Sequence, residues 1–189
     1  DKGRHIIVSK IEHKAVLEAA KKLEKEGFEI TYLKVNPKGL VDLGEFKKAL
    51  RPDTILVSVM YANNEIGVIQ PISQIAEIIQ KFRIGRSIFH PFFHTDACQA
   101  AGALSLDIGR LGVDLLTFSG SKIYGPKGVG CLYKAKNIKL EPMIVGGDQE
   151  NNFRAGTENS ALIVGLAEAL ELAEKLREKE SKRLMHLRD

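Results

Sequence analysis

The sequence predicts an α/β fold, a mostly parallel sheet with helices on both faces. Two patterns and the composition point there. Short apolar runs alternate with stretches of helical period along the chain. The apolar runs are nearly unbroken, as strands covered on both faces require. The 189 residues are 44% hydrophobic and 28% charged, which is ordinary globular composition. That length suits a single domain, residues 1–189, with a proper core.

In order, His5–Ser9 reads as a buried strand. Ala15–Glu26 reads as a helix with Val16, Leu17, Ala20 and Leu23 on one face, stopped at Gly27. Phe28–Val35 is a second strand, ended by the turn Asn36-Pro37-Lys38-Gly39. Asp42 caps a helix through Leu50, and Thr54–Tyr61 is an apolar strand. Pro71 opens a helix to about Phe82. A strand over Phe92–Thr95 leads into Asp96, after an irregular stretch from Ile84 to Phe93. Leu115–Ser119 and Val129–Tyr133 are further strands, and a long helix runs from about Glu158 to the end. The chain opens directly on a strand and closes on a helix whose apolar face continues through Leu184 and Leu187. It is therefore expected to be a piece of a longer protein.

Composition excludes several classes. No run of about 18 apolar residues is present, so no membrane span is expected. The first residues lack the apolar core of a signal peptide, and two cysteines, Cys98 and Cys131, make no disulfide framework. A reducing compartment is expected, the cytoplasm or, in a eukaryote, an organelle matrix. The net charge is +4, but Lys and Arg interleave with Glu as on a solvated helix face. Nucleic-acid binding would need a clustered basic stripe with stacking aromatics, and none is seen.

In open α/β sheets ligands bind beyond the carboxyl ends of the strands, and the informative residues follow strands. Ser119-Gly120-Ser121-Lys122-Ile123-Tyr124-Gly125-Pro126-Lys127-Gly128 supplies hydroxyls and backbone N–H groups that can converge on a phosphate. It is not a P-loop, because Pro126-Lys127-Gly128 stands where Gly-Lys-Ser/Thr would be needed. Lys122 beside such a cradle can form an imine with an aldehyde cofactor; the bland reading is a solvated lysine in a glycine turn. Asp96, at a strand end, can bind a metal, act as a base, pair with a cationic ring nitrogen, or simply cap a helix. Gln99 falls on the same face if a helix starts there. His13 opens a helix and is either structural or able to stack on a ring and exchange protons. Asn63-Asn64 is a turn or an amide that meets a ring oxygen. His90 and His94 have no accompanying cysteine or acid pattern of a metal site.

Five segments carry a resemblance. Glu12-His13-Lys14-Ala15-Val16, Tyr61-Ala62-Asn63-Asn64-Glu65-Ile66-Gly67-Val68-Ile69-Gln70, His94-Thr95-Asp96-Ala97-Cys98-Gln99, Ser119–Gly128 and Arg154-Ala155-Gly156-Thr157 follow one another as in the cysteine desulfurases. These are class V aminotransferase-like, fold-type I enzymes that use pyridoxal 5'-phosphate (PLP). The resemblance covers essentially the whole chain and implies the central part of a PLP-binding large domain. The N-terminal segment and the small domain would lie outside it.

By that resemblance Lys122 is the Schiff-base lysine, Asp96 the acid on the pyridine nitrogen, and Gln99 the amide near the ring hydroxyl. His13 is the stacking and proton-assisting histidine. Asn64, with Asn63 the second choice, faces ring hydroxyl and substrate. Ser119 and Ser121 contact the phosphate, and Thr157 reaches the phosphate of the other subunit, which implies a homodimer. The reaction implied is conversion of L-cysteine to L-alanine with sulfur left as an enzyme persulfide. That sulfur would pass to an acceptor or scaffold protein for iron–sulfur cluster assembly or tRNA thiolation.

Ser121 stands where the family usually has His, and the stretch Ile84–Phe93 is several residues longer than the family's. The family's upstream phosphate loop, its nucleophilic cysteine loop and its carboxylate-binding arginine have no counterpart in these residues, so they alone are expected to be inactive. Cys98 and Cys131 read as packed thiols and take no nucleophile role. Alternatives are a selenocysteine lyase or aminotransferase of the same superfamily, and an inactive PLP-fold interaction module.

Overall fold

Alternation within β1 (His5–Ser9) decides what covers each face of the sheet. All five of its residues are buried. Ile6 and Val8 pack with Ala20, Leu17 and Leu23 of α1 (Lys14–Lys25) on one face. Ile7 joins the larger cluster on the other face. That cluster includes Phe46 of α2 (Leu43–Ala49), Ile75 and Ile79 of α3 (Ile72–Ile84), and Leu111 of α4 (Ile108–Leu111). The computed structural model describes residues 3–86 and 89–189.

The remaining strands are β2 (Glu29–Leu33), β3 (Thr54–Ser58), β4 (Phe92–Asp96), β5 (Leu115–Ser119) and β6 (Gly130–Lys134). They form one six-stranded sheet in the order β2-β1-β3-β4-β5-β6. All neighbours pair parallel except β6, which runs antiparallel to β5 with Ser119 opposite Gly130. The mostly parallel sheet with helices on both faces is thus as the sequence predicts. The chain steps from β1 outward to β2, then back across β1 to β3 and onward. Right-handed crossovers put α1 on one face and the later helices on the other. The direction reverses between β1 and β3, and the crevice of such a sheet opens at that place.

Most boundaries lie within a few residues of expectation. Strand β3 ends at Ser58 rather than Tyr61 because β1 turns away after Ser9 toward α1. Val59 and Tyr61 still donate to the carbonyls of His94 and Asp96, at 3.1 and 2.9 Å. Strand β2 ends at Leu33, and Val35 keeps only an isolated bridge to Val41. Helix α4 is unexpected; its four residues, capped by Asp107, are too few to show a period. Within the stretch Ile84–Phe93, Ser87 and Ile88 lie outside the described residues. Beside it, Arg83 of α3 pairs with Asp114, whose Oδ2 also accepts from the Phe93 amide at 2.7 Å. That anchors α3 to the root of β4. No helix among the described residues is long and apolar enough to cross a membrane.

The long helix α5 (Ser160–Arg188) spans 29 residues, and Leu166 is its one buried residue. Ala169, Leu170 and Ala173 pack against the larger cluster beside it. Asn159 caps the helix through a bond from the Leu162 amide at 3.2 Å.

Candidate active site

The ends of β4 and β5 meet side by side. Asp96 closes β4 and is 8% exposed. The Cys98 amide donates to Asp96 Oδ1 at 2.9 Å, and the Ala97 amide donates to the Thr117 carbonyl of β5 at 2.8 Å. No helix begins after Asp96. The chain instead makes tight turns in which the Ala100 and Ala101 amides close on the Ala97 carbonyl at 3.0 and 2.9 Å. Gly102, with φ +77°, keeps them from continuing as a helix. Gln99 is exposed on these turns. It lines, with Lys122, Gly165 and Leu172, an open trough of about 980 Å³ between the turns and α5.

Strand β5 runs into a 3₁₀ turn, Gly120–Lys122. Ser119 Oγ and Ser121 Oγ lie 3.0 Å apart. Lys122 is exposed, and its Nζ takes part in no hydrogen bond or ion pair among the described residues. The Gly120 carbonyl accepts from both Ile123 and Gly125, at 3.2 and 2.9 Å, which curls the turn around Lys122. Tyr124 follows with φ +62°, an uncommon backbone for a residue with a large side chain. The turn lies against α5 so closely that a Cβ on Gly165 would sit 2.7 Å from Pro126 Cγ.

His13 is the N-cap of α1, its Nδ1 accepting from the Ala15 amide at 3.2 Å, and its ring is exposed. The two asparagines after β3 differ. Asn63 is buried and its side chain is used up: Nδ2 donates to the Ile11 carbonyl at 2.9 Å, and Oδ1 accepts from Glu65 and Ile66 at 2.9 and 3.0 Å. Asn64 is exposed and its amide makes none of the described hydrogen bonds. Thr157 lies on the exposed segment before α5, and no described bond joins it to Asp96 or Lys122.

Beneath Asp96 a polar ladder crosses three strands. Ser58 Oγ and His94 Nδ1 are 2.8 Å apart, and His94 Nε2 and Thr117 Oγ1 are 3.1 Å apart. Burial lowers the pKa of His94, with the Asp96 charge opposing. Both ring nitrogens are therefore spent within the sheet. His90 faces the Thr54 carbonyl at 2.9 Å instead. The Cys98 thiol is pushed up to about 12 by burial, then by its hydrogen bond to Asp96 and the charge of that carboxylate, with Lys122 pulling the other way. Burial raises Cys131 as well. A thiol held protonated is a weak nucleophile.

The sequence reading assigned no role to Glu12, although it is 5% exposed and adjoins His13. Its Oε1 accepts from Ser9 Oγ and from the Met60 amide, both at 2.6 Å. Its Oε2 is buried without a hydrogen-bond partner. Burial, reinforced by the Asp96 charge, raises its pKa to about 7 against the two hydrogen bonds. The available signal was an acid just before a helix N-cap, a place where an apolar residue often packs.

An acid thus ends one strand and a lysine follows its neighbour in a mostly parallel sheet. Residues 1–187 match the family model described as aminotransferase class-V, and the chain belongs to that family. It is 55% identical over 188 residues to a protein of Dictyoglomus turgidum named cysteine desulfurase IscS, covering 100% of this chain and 46% of that one. It is 50% identical to the putative cysteine desulfurase IscS 1 of Bacillus subtilis, covering 97% of this chain and 46% of that one. The chain thus spans about half the length of the curated relatives it matches. Among solved structures, a NifS-like protein superposes with a TM-score of 0.94 at 41% identity, over 100% of this chain and 50% of that one. A structure titled SspA in complex with cysteine superposes at 0.81 with 42% identity, over 90% of this chain and 48% of its own.

Proposed function

We propose that these residues are the central part of the large domain of a PLP-dependent cysteine desulfurase. In the whole protein, sulfur moves from L-cysteine to a cysteine thiol outside residues 1–189, leaving L-alanine and a persulfide. The observation that carries this reading is the placing of Lys122 and Asp96 at the ends of neighbouring strands, with two serine hydroxyls beside the lysine. The names of the relatives, and the cysteine held by SspA, support the substrate.

The residues fit the cofactor. Lys122 offers an amine with no described internal partner, Ser119 and Ser121 offer O–H donors for a phosphate, and Asp96 offers a shielded carboxylate steadied by the Cys98 amide. When bound, PLP supplies an aldehyde that holds an amine covalently and a ring that withdraws electrons from it. Lys122 Nζ would hold that aldehyde and, as a free amine, could carry protons. Asp96 keeps a proton on the ring nitrogen, and a carboxylate does this better out of bulk water. His13 would lie against the ring face and assist proton movement. Asn64 and Gln99 would offer their amides to the ring oxygen. Thr157 crosses to the phosphate of a second subunit in a homodimer. The sulfur passes on to an acceptor or iron–sulfur scaffold protein in a soluble compartment such as the cytoplasm.

The test uses the full-length protein with PLP. Borohydride reduction and peptide mapping should place the cofactor mass on Lys122, and L-cysteine should yield alanine and reductant-releasable sulfide in equal amounts. Label on Lys127 would overturn the anchor. Amino-group transfer to a keto acid without sulfide would move the protein to the aminotransferases of the same superfamily.

A further inference from the structure

We infer that Glu12 is a positioning residue: its carboxyl ties the β1–α1 turn, which carries His13, to the end of β3 beside Asp96, and so sets where the histidine stands relative to the acid. The inference rests on the reading of this place as a PLP site.

Glu12 sits where the chain reverses direction in the sheet. Ser9, which donates to its Oε1, ends β1, and Met60, the other donor, lies just past the end of β3. The next amide along, Tyr61, donates to the Asp96 carbonyl at 2.9 Å. A short path therefore joins the two site residues: from His13 through the peptide to Glu12, across to Met60, through the peptide to Tyr61, and across to Asp96. Asn63 makes a second clamp on the same turn by donating to the Ile11 carbonyl at 2.9 Å. Glu12 and Asn63 thus hold the turn from the same β3 segment.

An apolar side chain could fill the space but could not accept from Met60 and Ser9, and both donors would be left unpaired where water does not reach. The second oxygen, Oε2, is buried without a partner, so the group is more easily accommodated there as a neutral acid. The raised pKa of Glu12 agrees. A neutral acid at this position leaves Asp96 as the one buried negative charge at the site among the described residues.

Glu12→Asp shortens the arm by one methylene, so it cannot reach Ser9 and Met60 together. Glu12→Gln keeps the length and the accepting oxygen. In the full-length protein free of PLP, hydrogen exchange at the Met60 amide should quicken about tenfold in Glu12→Asp and stay near wild type in Glu12→Gln. With PLP bound, the visible circular dichroism of the cofactor should lose amplitude in Glu12→Asp, with Lys122 still labelled by borohydride, and recover in Glu12→Gln. Unchanged Met60 exchange in Glu12→Asp would overturn the inference. So would faster exchange with wild-type cofactor dichroism, because the link would then serve the fold alone. A Glu12→Gln protein that behaves like Glu12→Asp would also overturn it. Should Glu12→Asp not fold, Ser9→Ala takes its place: it frees the carboxyl to swing from Met60, and unchanged dichroism there overturns the inference. Absence of label on Lys122 in the wild type would remove the PLP reading itself and leave the Met60 result standing.

Discussion

The backbone N–H of Cys98 donates to Asp96 Oδ1 over 2.9 Å, and the same carboxylate helps to raise the pKa of the Cys98 thiol. The two residues are coupled through that charge. Burial is the largest cause that holds the thiol near 12, and the Asp96 bond and charge add to it. Asp96→Asn removes the charge and leaves the burial. The Cys98 pKa should then fall, and its alkylation by iodoacetamide at pH 8 should quicken several-fold, read by peptide mapping against Cys131. Equal Cys98 rates in wild type and variant would show that burial alone protects the thiol.

Glu12 gives the protein a pH dependence with a definite sign. Its folded pKa of about 7 lies above its ordinary value of 4.5. The folded state therefore binds the proton more tightly than the unfolded chain does. The stability this contributes is fully present below about pH 4.5 and is lost as pH rises through about 7. The span is at most about 3 kcal/mol. Urea unfolding of wild type and Glu12→Gln across this range should show the wild type losing ground steadily as pH rises. A difference between the two that is flat with pH would contradict the buried neutral acid.

Helix α5 reaches the lysine turn through a missing side chain. Alanine in place of Gly165 favours an exposed helix interior by about 1 kcal/mol. The added Cβ would lie 2.7 Å from Pro126 Cγ, on a ring that cannot rotate away. Forcing an extra methyl into a tight contact costs about 1–3 kcal/mol. The strain should win, so Gly165→Ala lowers the melting temperature and shifts the Pro126 end of the turn that carries Lys122. A lower yield of borohydride label at Lys122 is the second readout. A higher melting temperature would show that the turn moves freely on the helix.

The fold was legible because its strands are short apolar runs. His5–Ser9 and Leu115–Ser119 match the structure residue for residue, since burial on both faces leaves little else in them. The acid and the lysine after strands were legible for the same reason, as polar residues at the ends of apolar runs. What was not legible depends on contacts far apart in sequence. Glu12 and Met60 are 48 residues apart, and no local pattern announces that bond. Which of Asn63 and Asn64 keeps its amide free likewise depends on the Ile11 carbonyl, 52 residues from Asn63. Whether a helix starts after Asp96 is also not settled locally: Ala97, Ala100 and Ala101 favour helix, and Gly102, with φ +77°, closes that option.

Thr157 carries the proposed dependence of one subunit on the other. It is exposed ahead of α5, and no described bond holds it to the site of its own chain. Thr157→Val keeps the shape and removes the O–H donor. It should weaken PLP retention by about 1.5–3 kcal/mol, the range for one hydrogen bond to a charged group, while leaving the melting curve of the cofactor-free protein in place. Mixed dimers locate the threonine. One full-length subunit carries Lys122→Ala and its partner carries Thr157→Val. If each site takes its lysine from one chain and its threonine from the other, a single site collects both defects and the second is intact, so about half of the wild-type activity survives. If Thr157 serves its own chain, each site carries one defect, and activity falls well below half. The same dimers assayed for bound PLP separate retention from turnover, because the intact site keeps its cofactor under dilution. A full-length protein that is active as a strict monomer would exclude the shared site altogether.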